Sequence, residues 1–199
     1  ELKVALEKTS RQAQRAGQII QRIRSFVKRS ETNRVNSLVA PIVAEAVDLA
    51  DTELRRRQVK LSLFVSDRLA KLHIDPILIE QVLINLLKNA AEAIEHAQRP
   101  LNQRHVELQV VPKEVDGQDV VEFSVSDSGS GMTAEVMDRV FEAFFTTKSE
   151  GMGIGLNLCR TIIESHQGRM TAENIYNGKL IVGGRFSFWL PASKSLIPL

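Results

Sequence analysis

Val120-Val121-Glu122-Phe123-Ser124-Val125-Ser126-Asp127-Ser128-Gly129-Ser130-Gly131 is the stretch on which the fold turns. Side chains of a strand alternate between faces, so Val121, Phe123, Val125 and Asp127 share one side, and Glu122, Ser124 and Ser126 the other. Asp127 therefore ends an inward-facing apolar row. A carboxylate in that place must be hydrogen-bonded or stand at a cavity mouth, where it suits acceptance from an exocyclic amino group such as that of adenine. Gly129 and Gly131 lack Cβ atoms, which lets the backbone approach a flat ring. A plain Asp-Ser-Gly turn with no ligand accounts for the stretch equally well.

On either side of this strand the pattern is mixed α/β. A strand at His105–Val111 precedes it across the turn-like Lys113–Asp119. Further upstream the sequence predicts a short strand near Val35–Leu38, a helix from Val39 to Arg57, a strand at Val59–Val65 and a long helix from Asp75 to His96. Asp75-Pro76 supplies that helix with a cap and a first-turn proline. Downstream, Met132 to Gly155 is a long glycine-punctuated stretch, followed by a helix to His166 and closing strands near Met170–Asn174 and Gly184–Leu190. Strands joined mostly as hairpins, with helices gathered on one face, give an α+β fold: a two-layer α/β sandwich with a mixed, mostly antiparallel sheet.

The first 34 residues read differently. Leu2, Leu6, Thr9, Ala13, Ala16, Ile20, Ile23 and Val27 alternate steps of four and three, a heptad seam. This predicts one continuous helix about 40 Å long at about 1.5 Å per residue, with a stripe that needs a partner helix to cover it. Nine Lys and Arg stand against three Glu in this segment. A basic arm can contact nucleic acid, but no aromatic residues interleave these charges, and a solvated helix face is the preferred reading. No stretch approaches the roughly 18 apolar residues of a membrane span, and Glu1–Lys8 has no signal-peptide character. The single cysteine, Cys159, excludes an internal disulfide and reads as a small buried thiol.

Two other segments carry candidate chemistry. On the Asp75–His96 helix the apolar stripe is Val82, Leu83, Leu86, Leu87, Ala90, Ala93 and Ile94. Gln81, Asn85, Lys88, Asn89 and Glu92 share the other side at helical spacing. Amide oxygens are hard ligands suited to hydrated Mg²⁺, though an ordinary solvated face fits the same residues. Gly151-Met152-Gly153-Ile154-Gly155-Leu156 opens the helix to His166, where free N–H groups and the positive dipole end suit phosphate. It is neither a dinucleotide fingerprint nor a loop ending in Gly-Lys-Ser/Thr, and a plain flexible loop reads as well. Thr146-Thr147-Lys148 adds hydroxyls and a cation just upstream.

Taken in order, Asn85 and Asn89, then Asp127-x-Gly129-x-Gly131, then Phe141-Glu142-Ala143-Phe144-Phe145-Thr146-Thr147-Lys148, then Gly151-x-Gly153-x-Gly155-Leu156 resemble the catalytic domain of sensor histidine kinases. That family belongs with DNA gyrase, the Hsp90 chaperones and the MutL mismatch-repair proteins. The resemblance covers residues 35–191 and is nearest to the oxygen-, nitrogen- and dicarboxylate-sensing kinases. Ala16-Gly17-Gln18-Ile19-Ile20-Gln21-Arg22-Ile23-Arg24 is similar to the second helix of their dimerisation hairpin.

The resemblance implies a Bergerat-type ATP fold over 35–199, preceded by the truncated second hairpin helix over 1–34. It implies ATP and Mg²⁺ as cofactors, with Asn89 as metal ligand and Asn85 as second candidate. Lys88 is a supporting cation, Asp127 the adenine acceptor, Gly129 and Gly131 the ring's entry. Met132–Gly153 is a lid that brings Lys148 to the γ-phosphate, and Thr146, Thr147, Gly151, Gly153, Gly155 and Leu156 line the phosphates. Asn85 stands where hydrolysing relatives carry a Glu; a carboxamide is a poor general base, which favours transfer to a protein nucleophile over hydrolysis. That nucleophile is expected on a first hairpin helix upstream of Glu1, since His73, His96, His105 and His166 all read as structural or surface residues. Without that helix, the fragment is expected not to phosphorylate itself. The expected partners are a second copy, through the hairpin, and a response-regulator receiver domain, with a cytoplasmic location and a membrane anchor left open for the intact protein. Gln167, where the family usually has a glycine, and Gly184-Arg185-Phe186, without the usual small threonine-like residue, depart from the pattern. A serine-phosphorylating or ATP-hydrolysing relative, and a degenerate binding module, are the rival readings.

Overall fold

A computed structural model describes residues 33–148 and 151–193. The helix expected over Leu2–Val27 lies outside them. The described elements follow the order β1 (Val35–Ser37), α1 (Val39–Arg56), β2 (Lys60–Val65), β3 (Leu72–Ile74), α2 (Pro76–His96), β4 (His105–Val115), β5 (Gln118–Asp127), α3 (Ala134–Arg139), α4 (Gly155–Ser165), β6 (Arg169–Asn177) and β7 (Leu180–Pro191).

Five strands form the main sheet in the order β2-β4-β5-β7-β6. Only β2 against β4 is parallel; the other neighbours are antiparallel. Cross-strand partners Leu108↔Val125, Val110↔Phe123, Phe123↔Phe188 and Val121↔Leu190 are all buried, which defines the inner face. Phe123 and Phe188 stack with ring centroids 4.6 Å apart. Against this face α2 buries Val82, Leu83, Leu86, Leu87 and Ile94, each worth about 1.5–3 kcal/mol of burial for a fully covered large side chain. The outer face is polar: Arg185 pairs with Glu173 and donates to Ser126, and Lys113 pairs with Glu122. The expected two-layer sandwich is thus present.

Asp75 caps α2 by accepting from the N–H groups of Ile77 and Leu78, with Pro76 in the first turn. Residues Gln58, Gln98 and Gln167, following α1, α2 and α4, all take left-handed φ of 55°, 51° and 63°. That conformation satisfies the last helical carbonyls and favours glycine, so the glycine expected at 167 is a backbone requirement that Gln167 meets at a cost.

Four sequence expectations need correction. The segment Lys113–Asp119 is not a broad turn; β4 and β5 continue through it and reverse only at Asp116 and Gly117, with φ of 52° and 75°, the pattern of a tight Asp-Gly hairpin. Pro112 is tolerated inside β4 because pairing with β2 has ended at Val110. Leu72–Ile74 is an unforeseen strand that pairs with β1 in a small antiparallel sheet; three residues are too short to show a period. A short helix, α3, capped by Thr133, interrupts the stretch after Met132. Finally, Ala91 rather than Ala93 belongs to the buried stripe of α2.

Candidate active site

Ala93 is displaced from the core because it lies beneath the Asp127–Gly131 turn. A Cβ on Gly129 stands 3.1 Å from the Ala93 Cβ and 2.7 Å from Asp127 Oδ1, so only glycine lets the turn close on α2. Asp127, at the end of β5 and 7% exposed, accepts through Oδ1 from Gly129 N at 2.8 Å and from Gly184 N at 3.3 Å. Burial pushes its carboxyl above the ordinary value, and the two backbone donors offset part of that rise. The turn is braced from behind: Arg99 donates to the carbonyls of Ser128 and Gly129, and the Ser128 hydroxyl donates to Gln103 O.

Gly131 takes φ +69°. Next to it Asn174 of β6 grips Met132, donating to its carbonyl and accepting from its N–H, both at 2.7 Å. This amide clamp fixes the foot of the Met132–Gly153 segment. Further on, Phe144 N donates to Gly153 O at 2.8 Å, closing a loop on itself. Gly153 has φ +66° and a Cβ there meets the Phe144 carbonyl carbon at 2.4 Å. Within the loop the Thr146 hydroxyl accepts from Lys148 N at 3.1 Å; Thr147 is exposed.

Along α2 the residues Asn85, Asn89 and Ala93 are four apart and share one face. Asn85 is turned to α4: its side-chain N–H donates to Cys159 Sγ at 3.0 Å, and a Cβ on Gly155 stands 2.9 Å from its Nδ2. Asn89 accepts through Oδ1 from the Lys148 ammonium at 3.2 Å. Lys148 also pairs with Glu92. Ala93 meets the Asp127 turn as above. Lys88 is exposed on the same helix. No side chain caps the N-terminus of α4 at Ile154, and Gly155 and Leu156 form its first turn; an uncapped first turn presents N–H donors and a partial positive charge. Among the described residues no cluster of three His, Cys, Asp or Glu could hold a metal, so a bound cation depends on amide oxygens and single carboxylates.

Of the sequence-predicted residues, Asn85, Asn89, Lys148, Gly155 and Gly129 meet along one face of α2, Asp127 holds the Gly129 turn, and Thr147 and Lys88 are exposed. Two participants escaped the sequence reading of the site, and a third, Glu92, was read only as part of the polar wall of α2. Glu92 stood in the polar line of α2 and its i+3 spacing from Asn89 was the available signal. Gly184 was noted for the residue it replaces, yet it contributes its backbone N–H. Asn174 gave no local signal, since its partner is 42 residues away.

Residues 74–194 match the model of histidine kinase-, DNA gyrase B- and HSP90-like ATPases. The chain belongs to this ATPase family. Its relatives are sensor histidine kinases. Over 189 residues it is 40% identical to the sensor protein FixL of Bradyrhizobium diazoefficiens, spanning 95% of this chain and 35% of FixL. Over 170 residues it is 36% identical to the C4-dicarboxylate transport sensor protein DctS of Rhodobacter capsulatus, spanning 85% of this chain and 25% of DctS. The chain thus spans about a third or less of these two relatives. The catalytic domain of histidine kinase ThkA superposes with a TM-score of 0.61 at 28% identity, over 81% of this chain and 95% of that domain. The family places ATP as the nucleotide of this fold.

Proposed function

We propose that this chain binds Mg²⁺–ATP along the Asn85–Asn89–Ala93 face of α2 and passes the γ-phosphate to a histidine on a companion helical hairpin of a longer protein, for relay to a response regulator. One observation carries the reading. Three residues at spacing four on one helix meet, in order, the glycine-opened N-terminus of α4, the lysine of the loop, and the turn after Asp127. Their separation along the axis is about 12 Å at about 1.5 Å per residue, which suits a nucleotide laid lengthwise with phosphates at α4 and base at Asp127.

In this reading Asp127 accepts from the adenine amino group, with Gly129, Gly131 and Gly184 giving the ring room. The first turn of α4, opened by Gly155 and Leu156, and the loop residues Thr146, Thr147, Lys148, Gly151 and Gly153 receive the phosphates. The donor set fits Mg²⁺: Asn89 offers a half-buried amide oxygen, with Asn85 one turn before it and the Glu92 carboxylate one turn after. When bound, the metal neutralises phosphate charge. Lys88 and Lys148 add positive charge on the same side, and the work of the chain is to position and neutralise rather than to attack. Asn85, a carboxamide held by Cys159, is a poor base toward water, which favours transfer over hydrolysis. None of the described histidines is placed for the acceptor role in this reading: His166 is buried at a helix end, His73 and His105 are exposed on strands, and His96 is exposed at the last residue of α2.

The second hairpin helix over 1–34, dimerisation through that hairpin and a cytoplasmic location belong to the same proposal. None of the described helices is long and apolar enough to cross a membrane. Labelled ATP supplied to the chain with a separate histidine-bearing hairpin is the test. Acid-labile, base-stable label on the hairpin is expected, and no label on the chain alone. Label on serine, or rapid phosphate release without label, overturns the proposal.

A further inference from the structure

Glu92 has a role in the site that its spacing alone does not reveal. Its side chain, 19% exposed, accepts from the Lys148 ammonium through Oε2, while the same ammonium donates to Asn89 Oδ1 at 3.2 Å. Two oxygens on one face of α2, three residues apart, thus close on a single cation carried by the loop. The other carboxylate oxygen, Oε1, faces the buried Arg57 guanidinium at 3.7 Å, and Arg57 is itself paired with Glu53 and Glu95. Glu92 is therefore anchored from behind by a cation that does not depend on it alone, and its Oε2 is left to hold Lys148 beside Asn89.

Resting on the nucleotide reading above, we infer that Glu92 is a positioning residue for the loop, and that Lys148 and a divalent cation are alternative occupants of the oxygen pair Asn89 Oδ1 and Glu92 Oε2. Two unit charges at about 4 Å repel by roughly 4 kcal/mol at the effective dielectric of a protein surface, so an amide oxygen does not hold an ammonium and a metal together. When Mg²⁺ arrives with ATP, Lys148 leaves the pair for the phosphates and the hydrated metal replaces it beside Glu92. When ATP arrives without metal, moving Lys148 strips Glu92 Oε2 of its cation with nothing in exchange. Glu92 thereby makes nucleotide binding depend on the metal, through the placement of Lys148.

The test is ATP binding by calorimetry on the purified chain, with Mg²⁺ and with EDTA. Glu92→Gln is expected to strengthen metal-free ATP binding roughly fivefold, the worth of one partly exposed ion pair, and to shrink the ratio between the two conditions by at least that factor. Arg57 keeps two carboxylates in this variant, so the fold is retained. In a Lys148→Met background, where ATP binds more weakly, adding Glu92→Gln must leave metal-free binding unchanged, because the coupling is between those two side chains; a merely structural role for Glu92 persists in that background. Trypsin cleavage after Lys148 in the nucleotide-free chain is expected to quicken in Glu92→Gln. Unchanged metal dependence in Glu92→Gln, with the parent binding ATP normally, overturns this inference alone. A parent chain that does not bind ATP overturns the nucleotide reading and this inference with it.

Discussion

The side-chain N–H of Asn85 donates to Cys159 Sγ at 3.0 Å, tying the middle of α2 to the second turn of α4. Burial pushes the Cys159 thiol up to about 12, with the Asn85 hydrogen bond opposing part of that rise. Thiolate, the reactive form, is thus suppressed in the folded chain. Cys159 is expected not to react with a disulfide reagent at pH 8 until denaturant is added. Cys159→Ala is expected to cost about 1–2 kcal/mol in chemical denaturation, from the lost sulfur contacts and the small void. Rapid native-state labelling contradicts the first expectation.

Asp127→Asn keeps an oxygen for Gly129 and Gly184 but replaces the second acceptor by a donor. ATP affinity is expected to fall roughly ten- to a hundredfold, the worth of a charge-assisted hydrogen bond, with little change in melting temperature. The pH dependence separates two effects. The folded-state carboxyl is raised above its ordinary value, chiefly by burial, so its ionisation weakens the ligand-free fold: its stabilising contribution is full below the ordinary value and lost as pH rises through the raised one. ATP binding uses the ionised form and runs the opposite way. Affinity is expected to drop on acidification at a pH above the ordinary aspartate value, read by titrations across the acid limb.

His166 is fixed as a neutral ring. Its Nε2 accepts from Asp75 N at 3.1 Å, which leaves Nδ1 to donate to Ile162 O at 2.8 Å. Burial holds its pKa below the ordinary 6.5, so the unfolded chain binds a proton that the folded chain refuses. Stability is therefore full above pH 6.5 and falls as pH drops toward the lowered value. Thermal melts between pH 5 and 8 are expected to show this decline in the parent and a shallower one in His166→Gln.

Gly183 and Gly184 are adjacent yet differ in what a side chain meets. A Cβ at Gly183 stands 1.8 Å from Asp127 O, a backbone atom that cannot swing aside; at Gly184 it stands 3.2 Å from Asp127 Oδ2. Gly183→Ala is expected to destabilise the fold by about 3 kcal/mol or more. Gly184→Ala is expected to leave the melting temperature within a few degrees and weaken ATP binding, since the methyl group presses on the acceptor itself.

Gln167→Gly removes a side chain from left-handed backbone at φ 63°. It is expected to stabilise the chain by about 1 kcal/mol, measured by urea denaturation. No gain implies that the Gln167 side chain contributes contacts of its own.

What the sequence made legible follows from physical range. The alternation ending at Asp127 and the Asp75-Pro76 cap are set by residues one to three apart, and both stand as expected. The catalytic motifs were legible as a set because their order was; singly, each read as well as a solvated face or a plain loop. Leu72–Ile74 was hidden because a strand of three residues has no period, and the Asp116-Gly117 reversal because charged residues around it imitate a longer turn. Asn174 was invisible because its amide acts across the fold on the backbone of Met132, where any residue type could stand. Ala93 was misread because it is apolar for the sake of a neighbouring glycine rather than of the core.

The hydrogen bond from Phe144 N to Gly153 O has a consequence for the speed of the site. A chain that must bring its own ends together on each encounter with a ligand meets an entropic barrier that grows with the logarithm of its length. Here the ends are already joined, and the clamp at Met132 holds the approach to them. The unit that carries Lys148 is closed by that bond, so ordering it around a nucleotide is expected to be a smaller entropic step than closing an open chain.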